Sequence, residues 1–248
     1  MERRSRANCW LSLRIKVVVP VTTSIWNEMV REAYETVKDP GTEVTVVNLE
    51  RGPESIEQHY DVAWAEVFAL QEIEKAEGEG YDAVISYCFD DPALLASKEK
   101  LRIPVVGLQE PSIHLASMLG RKYSVVGVGG ELATGDSMDS ARLYGLENSL
   151  ASVRITDIPV LDIRKDREKL YSALLAEGRK AVEEDGADVI VLGCGGLLGL
   201  AEELQKELRV PVIDPGLAAL KVAEDLVKLG LAQSKKAFPF PNPKSRRL

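Results

Sequence analysis

Cys88 and Cys194 close two copies of one pattern, Gly80-Tyr-Asp-Ala-Val-Ile-Ser-Tyr-Cys88 and Gly186-Ala-Asp-Val-Ile-Val-Leu-Gly-Cys194, each an apolar run ending on a thiol. Cys88 lies 13 positions before Leu101-Arg-Ile-Pro-Val105 and Cys194 lies 14 before Leu208-Arg-Val-Pro-Val212, so the match spans a whole strand, helix, strand unit. A duplicated chain with one thiol per half can present two sulfurs to opposite sides of one small molecule. One thiolate would take a proton from carbon while the other thiol returns a proton to the opposite face, inverting the centre. That is the chemistry of a racemase or epimerase.

A thiol acts as a base only when ionised; a free cysteine has a pKa of about 8.5, and helix N-termini or nearby cations lower it. Each cysteine precedes a predicted helix, so the first-turn N–H groups are expected to stabilise charge on sulfur and to hold an enolate or carboxylate. Gly195 and Gly196 let the backbone come close to a ligand, whereas Phe89, Asp90 and Asp91 are bulkier and more acidic. Asp91 is placed to cap the helix that Pro92 opens. A single cysteine at a strand end is most often a small buried hydrophobe; the matched pair is what argues for catalysis.

Other signals are weaker. Gly193-Cys-Gly-Gly-Leu-Leu-Gly199 and Gly127-Val-Gly-Gly130 have neither the spacing of a dinucleotide fingerprint nor the lysine of a phosphate loop. With only His59 and His114, and no paired Cys or His spacing, no metal is expected. His114 reads as a packed histidine and Asp214 as the cap of the last helix, with lining of the crevice as its alternative; Trp26 and Trp64 read as core or interface residues, Trp26 being close enough after the first strand to wall the pocket instead.

Ile15 to Val19 is a β-branched run that reads as a buried parallel strand. It is followed by a turn at Pro20 to Ser24 and a helix from Ile25 to Val37. Val44 to Leu49 is a strand, Asp61 to Glu77 a helix with one apolar face, and Ala83 to Tyr87 the strand before the first thiol. A helix over Pro92 to Glu99, a strand over Val105 to Leu108 and a crossover helix over His114 to Leu119 complete the first half. The second half repeats the order: strand Tyr123 to Val128, helix Ser137 to Tyr144, strand Ser152 to Ile155, helix Lys169 to Glu184, strand Asp188 to Leu192. The strand starts at Ile15 and Tyr123 are 108 apart and the cysteines 106, which agrees with a duplication. The expected class is α/β, with parallel sheets whose ligand crevice lies beyond the strand carboxyl ends. A tail over 1–12, a first domain over 13–110 and a second over 111–215 are expected. The closing helix Leu217 to Leu229 and the rest of 216–248 pack back on the first.

The 248 residues are 45 % apolar and 28 % charged, ordinary for a globular protein. A net charge of −8 with a pI near 5.1 excludes a phosphate-backbone binder of the usual basic kind. No apolar run is long enough to suggest a membrane span. The stub Ala7 to Leu13 is too short and polar for a secretory signal, and three cysteines make no disulfide framework, so a cytoplasmic protein with reduced thiols is expected. Cys9 lies outside the repeat. The basic ends, Arg3, Arg4 and Arg6 and then Lys244, Arg246 and Arg247, read as solvated tails.

From about Leu13 to Lys244 the chain resembles the aspartate/glutamate/hydantoin racemase superfamily, and within it the hydantoin and allantoin racemases. The resemblance is carried by Cys88-Phe-Asp-Asp-Pro-Ala-Leu94, Pro104-Val-Val-Gly-Leu-Gln-Glu110, Tyr144-Gly-Leu-Glu-Asn-Ser-Leu-Ala-Ser-Val-Arg154, Leu192-Gly-Cys-Gly-Gly196 and Pro211-Val-Ile-Asp-Pro215. It implies two Rossmann-like domains related by pseudo-twofold symmetry with the active site between them, a two-base mechanism without cofactor, Cys88 and Cys194 as alternating acid and base, and a hydantoin or allantoin substrate deprotonated at ring C5. The expected partners are that small molecule and further copies of the chain, not nucleic acid or membrane. Substrate contacts are expected from Thr22, Thr23, Phe89, Asp90, Gly127, Gly195 and Gly196. The family's first turn usually reads Asn-Pro-Asn and then hydroxyl residues. Here Val19-Pro-Val-Thr-Thr-Ser24 keeps the hydroxyls without the amides, and Gly127-Val-Gly129 stands where threonine is common. An aspartate or glutamate racemase, a maleate isomerase or arylmalonate decarboxylase relative, and a non-catalytic small-molecule binder remain open. The decarboxylase usually keeps only one of the two cysteines.

Overall fold

The computed structural model describes residues 12–129 and 133–246; Cys9, the N-terminal arginines, Gly130 and Arg247 lie outside them. The first half runs β1 (Leu13–Val19), α1 (Asn27–Val37), β2 (Thr42–Asn48), α2 (His59–Ile73), β3 (Ala83–Ser86), α3 (Leu94–Lys100), β4 (Val105–Val106) and α4 (Gln109–Leu119). The second half runs β5 (Tyr123–Val128), α5 (Ala133–Leu143), β6 (Leu150–Thr156), α6 (Arg167–Glu183), β7 (Val189–Leu192), α7 (Ala201–Leu208), β8 (Val212–Ile213) and α8 (Pro215–Leu229). The duplication is therefore complete, element for element.

Each half builds one parallel four-stranded sheet, in the orders β2-β1-β3-β4 and β6-β5-β7-β8. The central strands carry β-branched runs because both faces are covered: β3, β5 and β7 are buried along their whole length. Lys16, inside β1, is a buried charge among them. It is 2 % exposed and satisfies its ammonium with Glu72 at 2.7 Å and Glu79 at 2.8 Å.

The last helix of each half serves the other. α4 follows the first sheet but packs on β5 and β7, and α8 follows the second sheet but packs on β3 and β4. The two helices also touch each other, closing the arrangement about a pseudo-twofold axis. Beyond α8 the chain continues along the first half: Gln233 donates to the carbonyls of Leu101 and Ile103, and Lys235 to those of Lys98 and Glu99. Phe240 stacks on the Arg102 guanidinium, 4.5 Å from its carbon. In each sheet the chain leaves its first strand in one direction and returns on the other side. The switch points between β1 and β3 and between β5 and β7 thus open at the carboxyl ends of the central strands, where parallel sheets hold ligands.

Candidate active site

Four strand ends converge on one cavity of about 830 Å³, counting the part open to solvent. The first sheet sends Val19, Pro20 and Val21 past β1, and Tyr87, Cys88, Phe89 and Asp90 past β3; the second sends Val128 from β5 and Gly193 to Gly196 past β7. Both cysteines line it and neither is in a disulfide. Trp26, Ile56, Glu57, Ser137, Ile155 and Val160 complete most of the wall.

Of the residues expected to contact substrate, Phe89, Asp90, Gly195 and Gly196 lie in this wall, while Thr22, Thr23 and Gly127 do not. Thr22 is exposed and gives its hydroxyl to the Pro53 carbonyl at 3.2 Å. The Thr23 carbonyl accepts from the Asn48 amide at 2.6 Å, so an amide at the end of β2 organises the first turn. Gly127 lies in β5 against the Gly193 backbone, where its lack of a side chain lets the strand and the thiol turn pack closely.

Sequence reasoning did not find Ile56, Glu57, Ser137, Ile155 or Val160. Ile56 and Glu57 stand in an irregular segment with no periodicity, Val160 in a short 3-10 turn, and nothing local marks Ser137 or Ile155 as facing a cavity. Among the described residues no three His, Cys, Asp or Glu side chains come together in a way that would hold a metal ion. Nor is any helix long and apolar enough to cross a membrane.

The expectation that a helix follows each thiol holds only for Cys194, which caps a single 3-10 turn over Gly195–Leu197 before α7 begins at Ala201. Cys88 is corrected: α3 begins at Leu94, six residues further on, and the thiol sits in an irregular turn. Cys194 accepts one backbone N–H, from Gly196 at 3.3 Å, while the Cys88 sulfur is 4.0 Å from an Asp90 carboxylate oxygen. Neither thiol is therefore driven toward ionisation. Burial pushes Cys194 up to about 11, with the Gly196 N–H pulling back and the charges of Asp90 and Glu57 adding to the rise. Burial also raises Cys88 well above its ordinary value, and the Asp90 charge adds to it.

Asp91 does not cap the helix after Pro92. Its carboxylate crosses to the start of α4 and accepts the N–H groups of Leu108 at 2.6 Å, Gln109 at 3.1 Å and Glu110 at 2.9 Å. A Cβ at Gly107 would fall 2.1 Å from an Asp91 oxygen, so only glycine leaves room for this cap. Asp91 and Ala93 both take left-handed backbone, φ 48° and 61°, a cost carried to bring the carboxylate across. The second half builds the reciprocal tie. Asp214 caps α8 through Gly216 and Leu217 as the sequence suggests, and also accepts from Gly199 at 2.9 Å in the loop after Cys194. Each thiol turn is thus anchored to a helix start by one carboxylate. Replacing Asp91 with Ala is expected to cost about 1–2 kcal/mol of stability, the usual loss for an N-cap; a urea midpoint unchanged from wild type would remove the cap from this account.

The indole N–H of Trp26 is buried and has no hydrogen-bond partner among the described residues. It lies beside Gly196, 3.1 Å from where a Cβ would stand. An orphan donor at a cavity wall is a group a ligand oxygen could satisfy.

Comparisons with known proteins follow this geometry. The family described as Asp/Glu/Hydantoin racemase matches residues 15–223. A hydantoin racemase of Pseudomonas sp. (strain NS671) is 40% identical over 235 residues, covering 94% of this chain and 93% of that one. The solved structure of an allantoin racemase from Klebsiella pneumoniae superposes with a TM-score of 0.90 at 37% identity, over 95% of this chain and 96% of that one. An allantoin racemase from Pseudomonas fluorescens gives the same TM-score, 0.90, at 34% identity, over 95% of this chain and 100% of that one.

Proposed function

The chain belongs to the Asp/Glu/hydantoin racemase family, and from that premise we propose that it inverts C5 of a hydantoin-like ring by proton transfer between Cys88 and Cys194. The observation that carries this reading is that the duplicated thiols, one from each half, line a single cavity. In the forward step the thiolate of one cysteine takes the C5 proton, leaving the electron pair on carbon and spread onto the neighbouring carbonyl oxygen as an enolate. The opposite thiol then gives its proton to the other face and becomes the thiolate that starts the reverse reaction. The carbonyl beside C5 acidifies that carbon, so two sulfurs and preorganised N–H donors complete the chemistry without a cofactor. Trp26 and the backbone of the Cys194 turn are the groups that would hold the enolate oxygen.

The lining also bears on substrate class. Among the described lining residues there is no Lys, Arg or His, but there are two carboxylates, Glu57 and Asp90. A free amino-acid substrate brings a carboxylate that such a wall would repel, whereas a neutral ring offers N–H donors that the same carboxylates accept. This favours a hydantoin over aspartate or glutamate. The remainder of the wall is largely aliphatic, with Val19, Val21, Ile56, Val128, Ile155 and Val160, together with Phe89. Such a surface suits an apolar 5-substituent better than the ureido group of allantoin.

The test is a panel of 5-substituted hydantoins, allantoin, aspartate and glutamate in deuterated water, followed by optical rotation and deuterium uptake. We expect loss of rotation with deuterium entering at C5 of hydantoins bearing alkyl or aryl substituents, more slowly for allantoin, and no turnover of the two amino acids. Turnover of glutamate or aspartate above that of the hydantoins would overturn the substrate assignment. Calorimetric binding of a hydantoin without exchange at C5 would point instead to a small-molecule binder.

A further inference from the structure

Tyr87, the residue before Cys88, is 4 % exposed and reaches across to the other half, where its hydroxyl donates to the Gly195 carbonyl at 3.0 Å. That carbonyl and the Gly196 N–H belong to one planar trans peptide group. The same Gly196 N–H donates to the Cys194 sulfur at 3.3 Å. The plane is therefore held at both ends, by a first-half phenol at its oxygen and by the second-half thiol at its nitrogen. A peptide between two glycines turns with little steric resistance, because neither neighbour has a Cβ. The 3-10 turn over Gly195–Leu197 closes through the Leu197 N–H on the Cys194 carbonyl at 3.1 Å, and the tilt of the peptide within it is set by the groups at its two ends.

The ring is built in tightly. A Cβ on Gly195 would come 2.7 Å from Tyr87 Cε1, and one on Gly216 would come 2.7 Å from the Tyr87 hydroxyl, so glycines on both sides make its seat. Tyr34 packs edge-on at 6.1 Å and anchors the same region through its own hydroxyl, donated to the Gly216 carbonyl at 2.8 Å. We propose that Tyr87 is a positioning residue for the second thiol: by gripping the Gly195 carbonyl it keeps the Gly196 N–H trained on Cys194. Because Tyr87 and Cys88 are adjacent in the chain, the same contact fixes the two sulfur-bearing turns relative to each other. No role in the proton transfer is assigned to the phenol itself.

An N–H aimed at sulfur favours thiolate over thiol. The charged groups facing Cys194, Asp90 and Glu57, push the other way, and the titratable groups facing Tyr87 are Tyr34, Asp214 and Cys194 itself. Losing the phenol should therefore leave Cys194 harder to ionise. The inference rests on Cys194 being an acid-base group, but its central test needs no substrate. In Tyr87→Phe, which keeps the ring and removes the hydroxyl, iodoacetamide alkylation of Cys194 is followed by peptide mass spectrometry from neutral to strongly alkaline pH, with wild-type protein labelled in parallel as the reference. We expect the apparent pKa of Cys194 to rise by about one unit, slowing its alkylation about tenfold at any pH below that value. In racemisation kcat should fall while KM stays near wild type, since a misaimed peptide affects the charged sulfur and not ground-state binding.

Gly216→Ala presses on the same hydroxyl from α8 and should shift the profile in the same direction; it decides the matter if Tyr87→Phe does not fold. A residue that only holds the fold together would lower Tm and leave the alkylation profile unmoved. An unchanged Cys194 profile in folded Tyr87→Phe overturns the proposal. Absence of racemisation in the wild-type protein would sink the functional reading and leave this result standing.

Discussion

Cys88→Ser and Cys194→Ser should each abolish racemisation, with a loss of at least about 10³-fold, within the range a single general acid or base typically contributes. Serine keeps the size of the side chain to within one atom. Its hydroxyl, however, ionises far above the range of a thiol and cannot take a carbon-bound proton. The two variants should not be equally silent in every assay. With Cys194 replaced, Cys88 can still remove the C5 proton of the enantiomer facing it and return a solvent deuteron to the same face. With Cys88 replaced, Cys194 does the same for the mirror image. We therefore expect deuterium uptake without loss of optical rotation, each variant exchanging one enantiomer and the pair being complementary. Wild-type turnover in either variant, or exchange of the same enantiomer by both, would contradict sulfurs acting from opposite faces.

The placement of one thiol from each half on a shared cavity was legible in the sequence because duplication leaves a long-range mark in the chain. A buried parallel strand needs β-branched residues on both faces, so Tyr123–Val128 could be bounded to the residue, and the thiols fall where such strands end. What surrounds the thiols was less visible, for a physical reason. Pro92 reads locally as a helix opener, but left-handed backbone at Asp91 and Ala93 delays the helix to Leu94. The start of α4 at Gln109, five residues before His114, depends on a carboxylate 18 positions upstream, which no local window contains. His114 itself is exposed and lies edge-on to Tyr144 at 5.4 Å, not packed in an apolar face. Glu57 and Ser137 reach the cavity from an irregular segment and from a helix whose apolar pattern says nothing about the crevice above it. Thr22 and Thr23 carry the right chemistry in the right turn and still miss the cavity wall, because the turn's hydrogen bonds go to Pro53 and Asn48.

The pH dependence follows from the same surroundings, in which burial outweighs the backbone N–H that favours each thiolate. In the proposed mechanism turnover needs one thiolate and one thiol. With Cys194 pushed up to about 11 by burial and Cys88 raised well above its ordinary value, the resting protein at neutral pH holds both as thiols. The active form is then a small minority, so kcat/KM should climb about tenfold per pH unit from neutrality until the first apparent pKa is reached. Because ionising one sulfur makes ionising the other harder, the two steps belong to the pair, and a broad alkaline plateau should precede any fall. Asp90 offers a way to move the rising limb. Its carboxylate is 4.0 Å from the Cys88 sulfur and its charge works against ionisation of both thiols. Asp90→Asn removes that charge while the residue's backbone N–H, which favours the Cys88 thiolate, stays in place. The rising limb of its kcat/KM profile should therefore shift to lower pH, with iodoacetamide alkylation of both cysteines accelerating at neutral pH in step. A profile flat from neutral to alkaline pH in the wild type would mean that a thiolate is already present at rest. A rising limb displaced to higher pH in Asp90→Asn would mean that Asp90 itself takes up the proton.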